Sequence, residues 1–162
     1  MAIRTQGALL ALMMCFCGCG EPTLEAVSRC GDSRGKVTRV LDGDTVELEN
    51  GTKIRYLHVD TPELSQGVEE PHQCMGDEAR VLNETLVLEK TVSLEYDFNC
   101  VDGYGRTLAF VSVEGRSVNE TLIERGYAEL LIREPNVARE ETYRALEAAA
   151  QEAKAGIWGA CQ

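Results

Sequence analysis

The strongest constraint on this chain lies between Val37 and Glu63. Two runs alternate apolar and polar residues, Val37 to Leu48 and Lys53 to Val59, and Glu49-Asn50-Gly51 joins them. Asn-Gly between alternating runs is the most specific short-range hairpin signal, because both residues tolerate the positive φ that a tight type I′ turn needs. The first run must bend or break at Asp42-Gly43. Acidic residues then stand at two special places: Asp42 and Asp44 within the first run, Asp60 and Glu63 past the end of the second. With Asn50-Gly51 at the tip, Asp44 and Asp60 fall near one end of the paired strands. Together with the Thr61 carbonyl they offer a hard oxygen site, which suits calcium or magnesium better than a transition metal. Glu63 follows Asp60 closely enough to bond a water held there. Arg55 lies inside the second run and Arg106 begins a later one, and a planar guanidinium clamps phosphate oxygens well. Strict alternation raises a difficulty. It puts Arg55 on the face of Leu57 and Val59, and Asp60 on the face of Tyr56 and His58, so a shared site requires a twist, bulge or turn near Asp60.

The rest of the chain reads as further short elements. Residues 19–35 form a linker ordered only near Cys30, and Leu64 to Gly76 is a polar loop. A helix from Asp77 to Leu88 carries Ala79, Leu82 and Leu86 on one side, and Thr91 to Tyr96 is a strand. Asp97 to Gly105 is a turn-rich loop, Arg106 to Val113 a strand, and Glu114-Gly115 a turn. A helix from Val118 to Arg125 stops at Gly126, Tyr127 to Ile132 adds a strand, and Arg139 to Ala155 is a helix with Tyr143, Leu146, Ala150 and Ala153 on one stripe. Short strands enclosing a core with helices at the edges predict an α+β domain over residues 36–162, a small β-barrel with three helices.

The N-terminus reads as an export signal over residues 1–18: Arg4 is its one charge, an apolar run spans Ala8 to Phe16, and small residues follow. Cys19, preceded by Gly18, is a lipidation candidate; the alternatives are a lipid tether to a membrane and simple secretion. Losing Arg4 from the 16 basic residues, against 27 acidic ones, takes the net charge from −11 to −12. Such a field slows encounter with polyanions, which counts against a nucleic-acid enzyme, and a module that merely binds nucleic acid would be expected to be basic. Cys30, Cys74, Cys100 and Cys161 in an exported domain predict two disulfides. Of three pairings the expectation is Cys30 with Cys161, stapling the ends, and Cys74 with Cys100. Zinc is disfavoured, since no Cys-x-x-Cys exists and the histidines are only His58 and His72.

Taken together, several segments resemble the thermonuclease family, the staphylococcal-nuclease-like calcium-dependent nucleases. They are Asp42-Gly43-Asp44-Thr45, Ile54-Arg55, Val59-Asp60-Thr61-Pro62-Glu63, Gly76-Asp77-Glu78-Ala79, Asp102-Gly103-Tyr104-Gly105-Arg106, Val118-Asn119-Glu120, Gly126-Tyr127-Ala128 and Ile157-Trp158. The resemblance implies a five-stranded barrel of the oligonucleotide-binding (OB-fold) type with three helices, acting as a monomer on phosphodiester bonds of DNA or RNA. By motif, Asp44, Asp60 and the Thr61 carbonyl would hold Ca2+, Glu63 would orient or deprotonate the attacking water, and Arg55 and Arg106 would grip the phosphate. Asp42 and Asp102 would support the site and Tyr104 would touch the substrate. Departures concern grip: Ser65, Gln66 and Gly103 stand where lysines are frequent, and Ile132 and Glu134 where aromatic residues flank the nucleotide. Weaker, differently salt-dependent binding is the expectation. A non-catalytic binding module on the same barrel is the rival reading, and an acidic calcium-binding surface protein a third.

Overall fold

The computed structural model describes residues 30–64 and 73–161; the expected export signal, Cys19, most of the expected linker, and Ser65, Gln66 and His72 lie outside them. The expected hairpin forms from β2, Thr45–Leu48, and β3, Lys53–Tyr56, paired antiparallel with Val46 opposite Ile54. Its turn is closed by the Asn50 side chain, which accepts from the Thr52 N–H at 3.0 Å, and by Gly51 at φ 81°. The first alternating run does break at Asp42-Gly43, so β1, Arg34–Val40, is a separate strand against β2.

Strand β1 pairs on its other edge with β5, Thr91–Glu95, and β5 pairs with β6, Thr107–Val113. A parallel pairing of β3 with β6, Ile54 opposite Thr107, closes the ring into a five-stranded barrel. This is the expected α+β architecture, an OB-type barrel with helices around it. Two smaller pieces extend it: β7, Arg116–Ser117, prolongs β6, and β4, His58–Asp60, pairs with β8, Glu129–Leu131, as a separate ribbon.

Alternating strand residues fill the barrel: Val37, Val46, Leu48, Ile54, Val92, Leu94, Ala109 and Val111 are all buried. Three helices cover it, α1 at Gly76–Val87, α2 at Val118–Glu124 and α3 at Glu140–Glu152. A fourth, α4 at Ile157–Ala160, was not legible as a helix. The buried stripe of α1 is Ala79, Asn83 and Val87, spaced four apart, with Leu82 and Leu86 half-buried on its flank. On α3, Tyr143 and Ala150 are buried and Leu146 half-buried, whereas Ala153 is exposed because the helix ends there.

The expected cysteine pairing is corrected. Cys30 pairs with Cys100 and Cys74 with Cys161, at Cα separations of 5.2 and 5.8 Å. The antiparallel register explains the first pair. Arg34 lies opposite Ser93, so the chain before β1 runs beside the chain leaving β5, and Cys30 meets the 97–105 loop rather than the C-terminus.

Candidate active site

The alternation difficulty is resolved at one residue. His58 takes φ 64°, a left-handed conformation costly for a residue with a Cβ, and this turn separates β3 from β4. The His58 ring is buried, with Nε2 2.7 Å from the Ala138 carbonyl and its edge toward Phe110 and Tyr143 at 5.2 and 5.4 Å. Burial lowers its pKa, against the pull of that carbonyl, and favours a neutral ring. With the chain turned there, Arg55 and Asp60 meet: Arg55 Nη2 donates to Asp60 Oδ1 at 2.7 Å.

Arg55 also reaches Asp44. Its Nη1 is 3.1 Å from Asp44 Oδ2 and donates to the Tyr56 and Val59 carbonyls, so one guanidinium spans both predicted ligand carboxylates. Asp44 is 4% exposed. Its Oδ2 accepts from the Thr61 N–H at 2.9 Å and the Thr61 hydroxyl at 3.1 Å, and its Oδ1 from Thr45. Burial pushes the Asp44 carboxyl up to about 7; Arg55 opposes that rise and Asp42 adds to it. Asp42 shapes the turn, its Oδ1 accepting from the Asp44 N–H at 3.0 Å. Gly43 has no room for a side chain, since a Cβ there would come within 2.6 Å of the Thr61 side chain.

The predicted ligands Asp44, Asp60 and Thr61 therefore adjoin. Two carboxylates face one guanidinium, with Asp42 beside Asp44, and the surplus negative charge and all-oxygen donors fit a hard divalent cation. Among the described residues no group of three or more His, Cys, Asp or Glu side chains is spaced to hold a metal, so the side chains that a cation could meet here are the two carboxylates of Asp44 and Asp60.

The backbone of Glu63 is placed by the segment that leads into helix α1 and by the first residue of that helix. Its N–H donates to Gln73 Oε1 at 2.9 Å, its carbonyl accepts from the Gln73 N–H, and a Cβ at Gly76 would come within 3.1 Å of the Pro62 and Glu63 carbonyls. On the other wall Asp102 organises the loop before β6. Its Oδ1 accepts from the Tyr104 and Arg106 N–H groups at 2.9 Å, and its Oδ2 from Arg106 Nε at 2.7 Å. Burial alone would raise the Asp102 carboxyl; those Arg106 and Tyr104 hydrogen bonds outweigh it and lower the pKa. The Arg106 guanidinium also lies 5.5 Å from the ring centroid of Tyr104, which is 89% exposed.

Arg55, Asp60, Glu63, Asp102, Tyr104 and Arg106 border one cleft of about 410 Å3, and Asp44 and Thr61 stand immediately behind Arg55. The predicted catalytic and substrate residues thus share one cleft, and Asp42, Asp44 and Thr61 are tied to it through the Asp44 carboxylate. The sequence reading missed the buried asparagines that hold it. Asn83 accepts from Tyr56 Oη at 2.9 Å and donates to the Asp42 carbonyl at 3.1 Å. Asn119 accepts from the Val111 N–H at 2.8 Å and donates to the Leu57 carbonyl at 2.9 Å. Their signal was available: each is a polar residue on an otherwise apolar helical stripe. Both begin Asn-x-Thr sequences, and full burial excludes them as glycosylation acceptors in the folded protein.

The fold and cleft define a class of protein: a closed OB-type barrel with carboxylates and arginines gathered along one cleft. A family model described as staphylococcal nuclease homologue matches residues 53–160. Endonuclease YncB of Bacillus subtilis (strain 168) is 40% identical over 128 residues, 74% of this chain and 59% of the relative. The SPbeta prophage-derived endonuclease YokF of the same organism is 37% identical over 128 residues, 74% of this chain and 42% of the relative. Thermonuclease of Staphylococcus hyicus is 35% identical over 135 residues, 82% of this chain and 79% of the relative. The chain belongs to the staphylococcal nuclease homologue family, and it spans under two thirds of the length of the first two relatives.

Proposed function

We propose that this chain is an exported, calcium-dependent nuclease that hydrolyses phosphodiester bonds of DNA, RNA or both. The observation that carries the reading is the cleft bordered at once by Asp60, Glu63, Arg55 and Arg106, with Asp44 behind. Calcium held by Asp44, Asp60 and the Thr61 carbonyl would act as a Lewis acid on a phosphate oxygen and help generate the nucleophile. Glu63, on the α1 side of the cleft, orients a water and takes its proton as the water oxygen bonds to phosphorus and the ester P–O bond breaks. Arg106 has its Nε committed to Asp102, which fixes the plane of the guanidinium and directs its remaining donors to phosphate oxygens. Arg55 exchanges part of its hold on Asp60 for phosphate, and Tyr104 offers an exposed face to a base or sugar.

Export is supported by the pattern of residues 1–18 and by four cysteines standing as two bonded pairs, an arrangement that persists in oxidising compartments. The test is hydrolysis of single-stranded DNA and RNA at low salt with calcium, with magnesium and with a chelator. Cleavage that requires calcium and is abolished by Glu63→Gln is the expected result. A folded, disulfide-intact, calcium-saturated protein that cleaves neither polymer would overturn the reading in favour of a binding module.

A further inference from the structure

Three arginines line the cleft, and only two are accounted for: Arg55 is held by Asp44 and Asp60, and Arg106 by Asp102 and Tyr104. The third, Arg133, is exposed and is paired with no carboxylate among the described residues. Elsewhere Arg39, Arg80, Arg139 and Arg144 each face a glutamate, and although Arg34, Arg116 and Arg125 are exposed as Arg133 is, none of them borders the cleft. Of the three consecutive residues Ile132, Arg133 and Glu134, the arginine alone borders the cleft.

Arg133 lies two residues past the end of β8, and its backbone is fixed. Its carbonyl accepts from the Asn136 N–H at 3.0 Å. Asn136 is buried, accepting from the Asn99 N–H at 2.7 Å and donating to the Asn99 carbonyl at 3.0 Å. Asp97 adds a third tie by accepting from the Ala138 N–H at 2.8 Å. The turn that carries Arg133 is therefore stitched to the same loop that carries Asp102, Tyr104 and Arg106. A cation on a rigid mount loses less freedom when it meets an anion.

We propose that Arg133 binds the phosphate of the nucleotide next to the one being cut, so that the cleft engages a strand rather than a single phosphodiester. This rests on the nuclease reading above. A guanidinium matches phosphate geometry, and in a chain of net charge −11 a cation left unneutralised on the cleft wall is where a polyanion gains most. Arg133 is a substrate-positioning residue, with no part in the bond making or breaking.

The test uses decathymidylate in calcium. In a Glu63→Gln background, fluorescence anisotropy gives affinity against salt; with Glu63 intact, hydrolysis gives KM and kcat. Arg133→Ala is expected to make the slope of log K against log salt shallower by about 0.7, one single-strand phosphate contact. KM should rise about 5- to 10-fold with kcat within twofold, and Arg133→Lys, which keeps the charge, should keep the slope. An unchanged slope and KM in Arg133→Ala, while the parent cleaves, overturns this inference alone. A fall in kcat equal to that in kcat/KM also overturns it, because Arg133 would then act on the reacting phosphate. A parent protein that neither binds nor cleaves decathymidylate or its ribonucleotide counterpart, decauridylate, overturns the nuclease reading and this inference with it.

Discussion

Replacing Asn119 tests whether the site depends on a bond network that lies outside it. Its amide joins three elements: it sits on α2, accepts from Val111 on β6, and donates to Leu57 at the junction of β3 and β4. Val111 and Leu57 are themselves buried, so water cannot replace the lost partner. Asn119→Ala leaves one N–H and one C=O unpaired, each costing about 1–3 kcal/mol. A loss of about 3 kcal/mol at a urea slope of about 1.5 kcal/mol per molar lowers the unfolding midpoint by about 2 M, with the slope unchanged. Asn119→Asp sharpens the test. Its carboxylate still accepts from Val111 but faces the Leu57 carbonyl, and burial raises its folded pKa above the unfolded value near 4. A group with a raised folded value of this kind stabilises below the unfolded pKa and loses that contribution as pH rises. Relative to the parent, Asn119→Asp should therefore be less stable at pH 7 than at pH 4. Urea unfolding followed by circular dichroism at both values decides it. A cost below about 1 kcal/mol for Asn119→Ala, or a flat pH response for Asn119→Asp, would refute the reasoning.

Three other perturbations follow from the site. Gly43→Ala drives a methyl into Thr61 and should weaken calcium binding about tenfold or more by calorimetry; unchanged affinity would remove Gly43 from the site's design. In chelator, Asp44 with a folded value of about 7 against 3.8 should cost stability as pH climbs from 4 to 7, at up to about 1.4 kcal/mol per unit. The difference in urea midpoint between the parent and Asp44→Asn should track that slope, and calcium should reverse it; a difference that stays constant with pH counts against a buried, elevated Asp44. Non-reducing peptide mapping should find Cys74 joined to Cys161, and replacing both by serine should cost about 2–4 kcal/mol, whereas a Cys74–Cys100 peptide would contradict the fold.

Local patterns carried most of the fold. Asn50-Gly51 set the hairpin, alternation set the strands, and the elements from β5 to α3 fell within a few residues of their expected bounds. The site residues were legible because their types and order are unusual together. What could not be read was whatever depends on two distant segments meeting. Alternation placed Arg55 and Asp60 on opposite faces, and nothing local announced that His58 would turn the chain, since its conformation is maintained by Ala138, Phe110 and Tyr143 far along the sequence. The cysteine pairing failed for a related reason: it follows from the register of β1 on β5. Asn83 and Asn119 stood out only as polar residues on apolar stripes, because the carbonyls they hold lie far along the chain, Asp42 41 residues from Asn83 and Leu57 62 residues from Asn119.

The barrel is closed by β3 lying parallel to β6, with Arg55 opposite Leu108. That single seam joins the half of the cleft made early in synthesis, with Asp44, Arg55, Asp60 and Glu63, to the half made about fifty residues later, with Asp102, Tyr104 and Arg106. A chain translated only through β5 owns the carboxylates and one arginine and has nothing to set opposite them. The proposed chemistry is thereby withheld from nascent and unfolded chains until β6, the last barrel strand, is in place.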